Sequence, residues 1–173
     1  MEPLTVSVLI DLPREEVFEY LADIANHAEF NDHFMADWRL TREDTYGLGA
    51  GVRYRVEVPL IRFPWGDSTI VEFEPPRRIV ETGRTGKFNR IRTLGVYELE
   101  RGSGGSTRVT FTFQSQPKLP SDRFLESFAR PWLKRKLKRS MRRLQSILEE
   151  DRDRGVRPTI AGGPRKPATG FRM

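Results

Sequence analysis

The 173-residue sequence predicts an α+β domain with an antiparallel sheet of about seven strands and one long C-terminal helix. Three observations carry this expectation. Apolar residues recur at every second position through most of residues 36–116, Gly- and Pro-rich turns separate the segments so patterned, and one stripe of helical period fills residues 121–150. Short links between successive strands imply an antiparallel meander, because parallel neighbours need a long crossover.

The first strand is read from Leu4 to Ile10, with Val6, Val8 and Ile10 on its core face. Asp11-Leu12-Pro13 stops it and supplies a proline suited to a first helical turn, where Glu15 and Glu16 complement the helix dipole. Val17, Phe18, Tyr20 and Leu21 then form a helical stripe, and Asp23 is placed to cap a second short helix carrying Ile24, His27, Ala28 and Phe30. Period two resumes with Ala36, Trp38 and Leu40, continues through Val52, Tyr54, Val56 and Val58, and returns at Val71 and Phe73. Further strands are expected at residues 78–83, at 93–100 with Tyr97 and Leu99, and at 107–116 with Val109, Phe111 and Phe113. The last helix is expected to enter through Pro120, to be capped at Ser121, and to be kinked or divided at Pro131. Gly and Pro crowd residues 151–173, which reads as a flexible basic tail beyond a single domain of residues 1–150.

Composition narrows the function classes. With 11 Phe, 4 Tyr and 3 Trp the chain can line a large interior. It has no cysteine, which excludes disulfides, thiolate nucleophiles and Cys-ligated metals and points to a reducing, cytoplasmic setting. No stretch approaches the roughly 18 apolar residues of a membrane span. The net charge of +6 is unevenly placed: residues 1–120 hold 15 basic and 18 acidic side chains, whereas the remainder carries the positive excess. That distribution differs from a nucleic-acid-binding domain with a basic patch built into its body, and nucleic acid is not the expected partner.

Several strings resemble the SRPBCC superfamily, the START and birch-pollen-allergen-like proteins, and within it the polyketide cyclase/dehydrase-like branch. IDLPREEVFEYLADIANHAEF (Ile10 to Phe30) resembles the family's exit from its first strand into a helix pair. GLGAGVRYRV (Gly47 to Val56) is similar to its glycine turn, TIVEFEPPRRIVETG (Thr69 to Gly83) to its strand–Pro-Pro–strand hairpin, and GVYELERGSGGSTRVTFTF (Gly95 to Phe113) to its final hairpin. The resemblance implies a helix-grip fold, in which the curved sheet wraps the long helix and leaves between them a ligand cavity for lipids, polyketides, sterols or hormones. On that reading Trp38, Tyr54, Val56, Phe73, Tyr97, Phe111 and Phe113 from the sheet face Phe124, Phe128 and Trp132 from the helix, and Phe63, Trp65 and Phe88 guard the entrance. The same aromatics on inward strand positions would otherwise be a filled core.

Chemistry is less legible. His27 and His33 lie near Asp23, Glu29, Asp32 and Asp37, but without a third well-placed ligand they read as caps and solvated surface, so neither metal nor cofactor is expected. No nucleophile elbow accompanies either histidine. Gly47-x-Gly49-x-Gly51 lies between strands and is a turn, not a dinucleotide fingerprint. Tyr54, Tyr97 and Ser115 are the inward polar candidates; alternation sends Arg53, Arg55 and Glu57 outward, and no buried carboxylate pair is expected. Catalytic residues and oligomeric state are left unassigned. Residues 130–143 hold eight basic side chains around the apolar seam Leu133, Leu137 and Met141. They form either a solvated face or, through Lys134, Lys138 and Arg142, a surface for anionic lipid or an acidic partner. Two functions follow as expectations: a protein that binds a small hydrophobic molecule as a polyketide cyclase or dehydratase, or a non-catalytic carrier of a lipid or quinone that approaches membranes through its basic helix.

Overall fold

The computed structural model describes residues 2–58 and 63–150. The expected basic tail, residues 151–173, lies outside the described residues. Chain order is β1 (Leu4–Ile10), α1 (Arg14–Ala22), a 3-10 turn (Ile24–Asn26), α2 (His27–Asn31), β2 (Met35–Leu40), β3 (Gly51–Val56), β4 (Trp65–Glu74), β5 (Arg78–Thr85), β6 (Ile91–Arg101), β7 (Thr107–Gln116) and α3 (Pro120–Glu149). The seven strands form one antiparallel sheet in the order β1-β7-β6-β5-β4-β3-β2. Every neighbour but β1–β7 is a sequential hairpin, while α1 and α2 carry the chain from one sheet edge to the other.

Local chemistry accounts for the elements. The Asp23 carboxylate accepts the Ala25 N–H at 3.1 Å and so caps the turn into α2. Gly47 and Gly49 hold φ of 74° and 84°, as expected of a glycine turn between strands. Gly83 answers a different demand, because a Cβ there would run into the Asp67 carbonyl of the neighbouring strand. The bulge between Ile70 and Glu72 shifts the register of β4 against β5.

Two expectations about α3 are corrected. The N-cap is Leu119, with no side-chain cap bond, and Ser121 sits within the first turn that Pro120 opens. Pro131 does not divide the helix, which runs unbroken for 30 residues. Pro131 is exposed, as is Ser127, whose carbonyl loses its donor, so water can serve the freed acceptor.

Burial along α3 is lopsided. Leu137, Ser140, Met141, Leu144 and Leu148 are buried in the second half, but only Asp122 in the first. The helix packs chiefly on β1 and α2, so its first half stands off the centre of the sheet. Elsewhere the core is closed to solvent, with Ile10, Val17, Phe18, Leu21, Ile24, Ile79 and Leu144 essentially inaccessible. The unfilled space therefore lies between the first half of α3 and the concave face of the sheet. Among the described residues no helix is long and apolar enough to cross a membrane.

Candidate functional site

The space under α3 is a cavity of about 440 Å³, within the range typical of small-molecule sites. Strand alternation supplies its walls: Trp38 from β2, Tyr54 and Val56 from β3, Tyr97 from β6, and Phe111, Phe113 and Ser115 from β7. Trp132, Leu133, Leu137 and Met141 close it from α3, and Phe30 and Phe34 from the α2 side. The rings contact one another, with Tyr97 and Phe111 centroids 4.4 Å apart, Trp38 and Tyr54 5.1 Å, and Phe34 and Trp132 5.9 Å.

Within this apolar shell lies a charged group that sequence reasoning did not locate. Glu81 of β5 and His27 at the start of α2 are both buried and both line the cavity. His27 Nε2 is 2.9 Å from the Leu21 carbonyl, which can only accept, so that nitrogen carries hydrogen. Its Nδ1 faces Glu81 Oε1 at 3.1 Å, and the Ser68 hydroxyl donates to Oε2 at 2.6 Å. Burial disfavours charge on either partner. Their mutual attraction outweighs it, raising the His27 pKa and lowering that of Glu81, with the Ser68 bond adding to the latter. Both shifts act toward the charged forms, a carboxylate facing an imidazolium. His27 is thus neither a cap nor solvated surface, because it shares the inward stripe of Ile24, Ala28 and Phe30. The signal for Glu81 was present: it lies two residues from the core residue Ile79, so period two turns both inward.

Tyr54 and Tyr97 flank the pair. Burial first, and then the Glu81 charge, push both phenols up, so they remain protonated donors. On the far side Asn31 and Ser140 join α2 to α3 through a 2.7 Å hydrogen bond. His33 lies outside the cavity, with Nε2 3.2 Å from the Lys136 carbonyl. Among the described residues no group of three His, Asp or Glu could hold a metal ion.

The mouth is built from Phe63, Pro64, Gly86, Lys87, Leu125 and Glu126. Arg90, after the β5–β6 turn, fastens it to the first turn of α3, its Nε donating to Asp122 Oδ2 at 2.9 Å and a second nitrogen to Oδ1. That fork holds the Asp122 carboxyl below the usual range. The Glu126 carboxyl is inaccessible to solvent and has no hydrogen-bond partner among the described residues, and burial raises its pKa.

Of the expected cavity residues, Trp38, Tyr54, Val56, Tyr97, Phe111, Phe113 and Trp132 line the space, as does Phe63 at the mouth. Five others stand elsewhere. Phe73 packs on Phe18 and Tyr46 under α1, with ring centroids 5.2 and 5.7 Å away. Phe124 and Phe128 are 64% and 73% exposed, 4.9 Å from each other on the outer side of α3. Their four-residue spacing fits a helix, but the neighbours Leu125 and Ala129 occupy the face that meets the cavity. Trp65 lies across the sheet from the cavity, between the guanidiniums of Arg39 and Arg53 at 5.8 and 5.3 Å, because Gly66 and Ser68 take the inward positions of β4. Phe88 is 85% exposed in a turn with φ of 58°, its ring 5.1 Å from the Lys87 ammonium. Lys134, Lys138 and Arg142 are all exposed on α3.

An open antiparallel sheet gripping a long helix across a cavity is the helix-grip architecture expected above. The chain belongs to the polyketide cyclase/dehydrase and lipid transport family, an SRPBCC-type family whose pattern matches residues 1–149. Solved structures agree in fold. The KanY protein has 14% identity and a TM-score of 0.68, covering 86% of this chain and 98% of its own. A truncated norcoclaurine synthase from Thalictrum flavum has 8% identity and a TM-score of 0.66 over 87% and 94%. The ginseng major latex-like protein 151 from Panax ginseng has 12% identity and a TM-score of 0.61 over 86% and 98%. Such identities establish shared fold and not shared activity. No curated protein sequence matches this chain.

Proposed function

We propose that this protein binds a small, largely apolar molecule of polyketide or lipid type in the cavity between the sheet and α3. The observation that carries the reading is the unfilled, aromatic-walled space of about 440 Å³ between the sheet and α3. Its floor is polar and its walls apolar, a contrast that would orient an amphiphile. In an enzyme of the cyclase or dehydratase type, the walls would hold a flexible chain near attack geometry, and the floor would supply proton donors and an acceptor. Titration with N-phenyl-1-naphthylamine, whose fluorescence rises in apolar surroundings, tests the reading. One saturable site is expected in the wild type, weakened at least tenfold in Ser115→Phe, which fills the cavity from β7. Absence of saturable binding in the wild type would refute it.

A carrier that approaches membranes is favoured by a separate observation. Lys134, Arg135, Lys138, Arg139 and Arg142 are exposed, and among the described residues no ion pair engages them. The exposed Phe124–Phe128 pair continues the same outer side of α3 toward its start. Cations beside aromatics suit an anionic lipid surface, and the attraction should weaken with salt. Sedimentation with phosphatidylglycerol-containing vesicles should carry down the protein at low salt but not Lys134→Glu/Lys138→Glu/Arg142→Glu. No sedimentation of the wild type would leave the charges as a solvated face.

A further inference from the structure

The cavity floor contains more than an apolar ligand needs. Burying a carboxylate is costly even when it is paired, and a leucine or glutamine at position 81 would serve a purely hydrophobic site better. We propose that Glu81, held by His27 and Ser68, is the acceptor for an acidic hydroxyl on the ligand, so that the cavity takes phenols or enols with a largely apolar body. This rests on the cavity being the binding site.

The geometry separates the two carboxylate oxygens. Oε2 takes the short bond from Ser68. Oε1 lies 3.1 Å from His27 Nδ1 and is itself closed to solvent, without a well-aligned hydrogen bond among the described residues, so it keeps acceptor capacity just behind the wall that Glu81 gives the cavity. A buried acceptor in that condition is costly until a donor reaches it. Tyr54 and Tyr97 reach the floor from β3 and β6, and neither phenol hydrogen-bonds among the described residues. Burial first, and then the nearby Glu81 charge, keep both protonated. A ligand hydroxyl can satisfy both sides, donating to Oε1 and accepting from a phenol. An ether only accepts and a methyl does neither. A ligand carboxylate would meet Glu81 as a like charge, since His27 is already committed to it.

The test compares 2-naphthol, 2-methoxynaphthalene and 2-naphthoate as displacers of N-phenyl-1-naphthylamine. The wild type should prefer 2-naphthol to the ether by about tenfold, with naphthoate weakest, and Glu81→Gln should bring the naphthol-to-ether ratio to about one. A second readout needs no variant. On excitation 2-naphthol becomes a strong acid, and its O–H proton passes to an acceptor already in contact, here Oε1, leaving naphtholate and a protonated carboxyl. Bound naphthol should emit as naphtholate. Equal affinities for naphthol and ether, a preference that survives Glu81→Gln, or emission from neutral bound naphthol would each overturn the inference while leaving the cavity reading intact. If none of the probes binds, the cavity reading fails and this inference with it.

Discussion

Glu81→Gln should make the stability of the domain newly sensitive to acid. In the wild type the folded His27 has a pKa raised above 6.5, so its contribution is complete below that pH and fades as pH climbs through the raised value. Glu81 is lowered from 4.5, so its contribution is complete above that pH and fades as pH falls through the lowered value. Between 4.5 and 6.5 the pair stabilises the fold in full. With glutamine at 81 the main influence left on the ring is burial, which opposes its charge; the Asp23 carboxylate is the one acid that still favours it. The folded ring then stays neutral while the unfolded chain protonates its own below pH 6.5. Each pH unit below that value costs about 1.4 kcal/mol, so at pH 5 the variant should lose about 2 kcal/mol beyond its deficit at pH 7. The deficit at pH 7 should be only about 1 kcal/mol, because the glutamine amide can donate to a neutral Nδ1. Urea unfolding followed by tryptophan fluorescence at both pH values measures the difference. A gap between variant and wild type that does not widen from pH 7 to pH 5 would refute the ion-pair assignment.

Two further outcomes follow from the mouth and the outer helix face. Arg90→Ala removes the fork that fastens Asp122 and the first turn of α3, so N-phenyl-1-naphthylamine should leave several-fold faster in stopped-flow displacement; an unchanged rate would show that the fork does not govern passage. Phe124→Ser/Phe128→Ser should leave probe affinity within about twofold and stability within about 1 kcal/mol, because both rings face solvent; a tenfold loss of affinity would place them at the site after all.

What the sequence revealed depended on periodicity. Alternation at Val52, Tyr54 and Val56, or at Phe111 and Phe113, identifies both a strand and the side it turns inward, and those residues do line the cavity. Periodicity alone could not assign faces where two apolar choices competed. On α3 the run Phe124, Leu125 and Phe128 fits a helix whichever side faces the sheet, and only the docking of its second half on β1 and α2 brings Leu125, itself still exposed, to the border of the cavity. Phe73 turns inward only because the bulge between Ile70 and Glu72 shifts the phase of β4, and α1 and not α3 covers that end of the sheet. The His27–Glu81 pair joins residues 54 positions apart, and no local spacing announces it. It was legible only as two separate hints, a histidine on an apolar helical stripe and a glutamate in phase with Ile79.

Where a ligand sits is most directly read from backbone amide shifts in the nitrogen–proton correlation spectrum during titration with N-phenyl-1-naphthylamine. A ligand between sheet and helix predicts saturating shifts at Tyr54, Gly95, Phe113, Ser115, Ala129 and Leu133, which meet in the cavity from β3, β6, β7 and α3, with Phe73 and Arg139 unmoved. Shifts confined to Phe124, Phe128 and the outer side of α3, with the sheet residues silent, would contradict it.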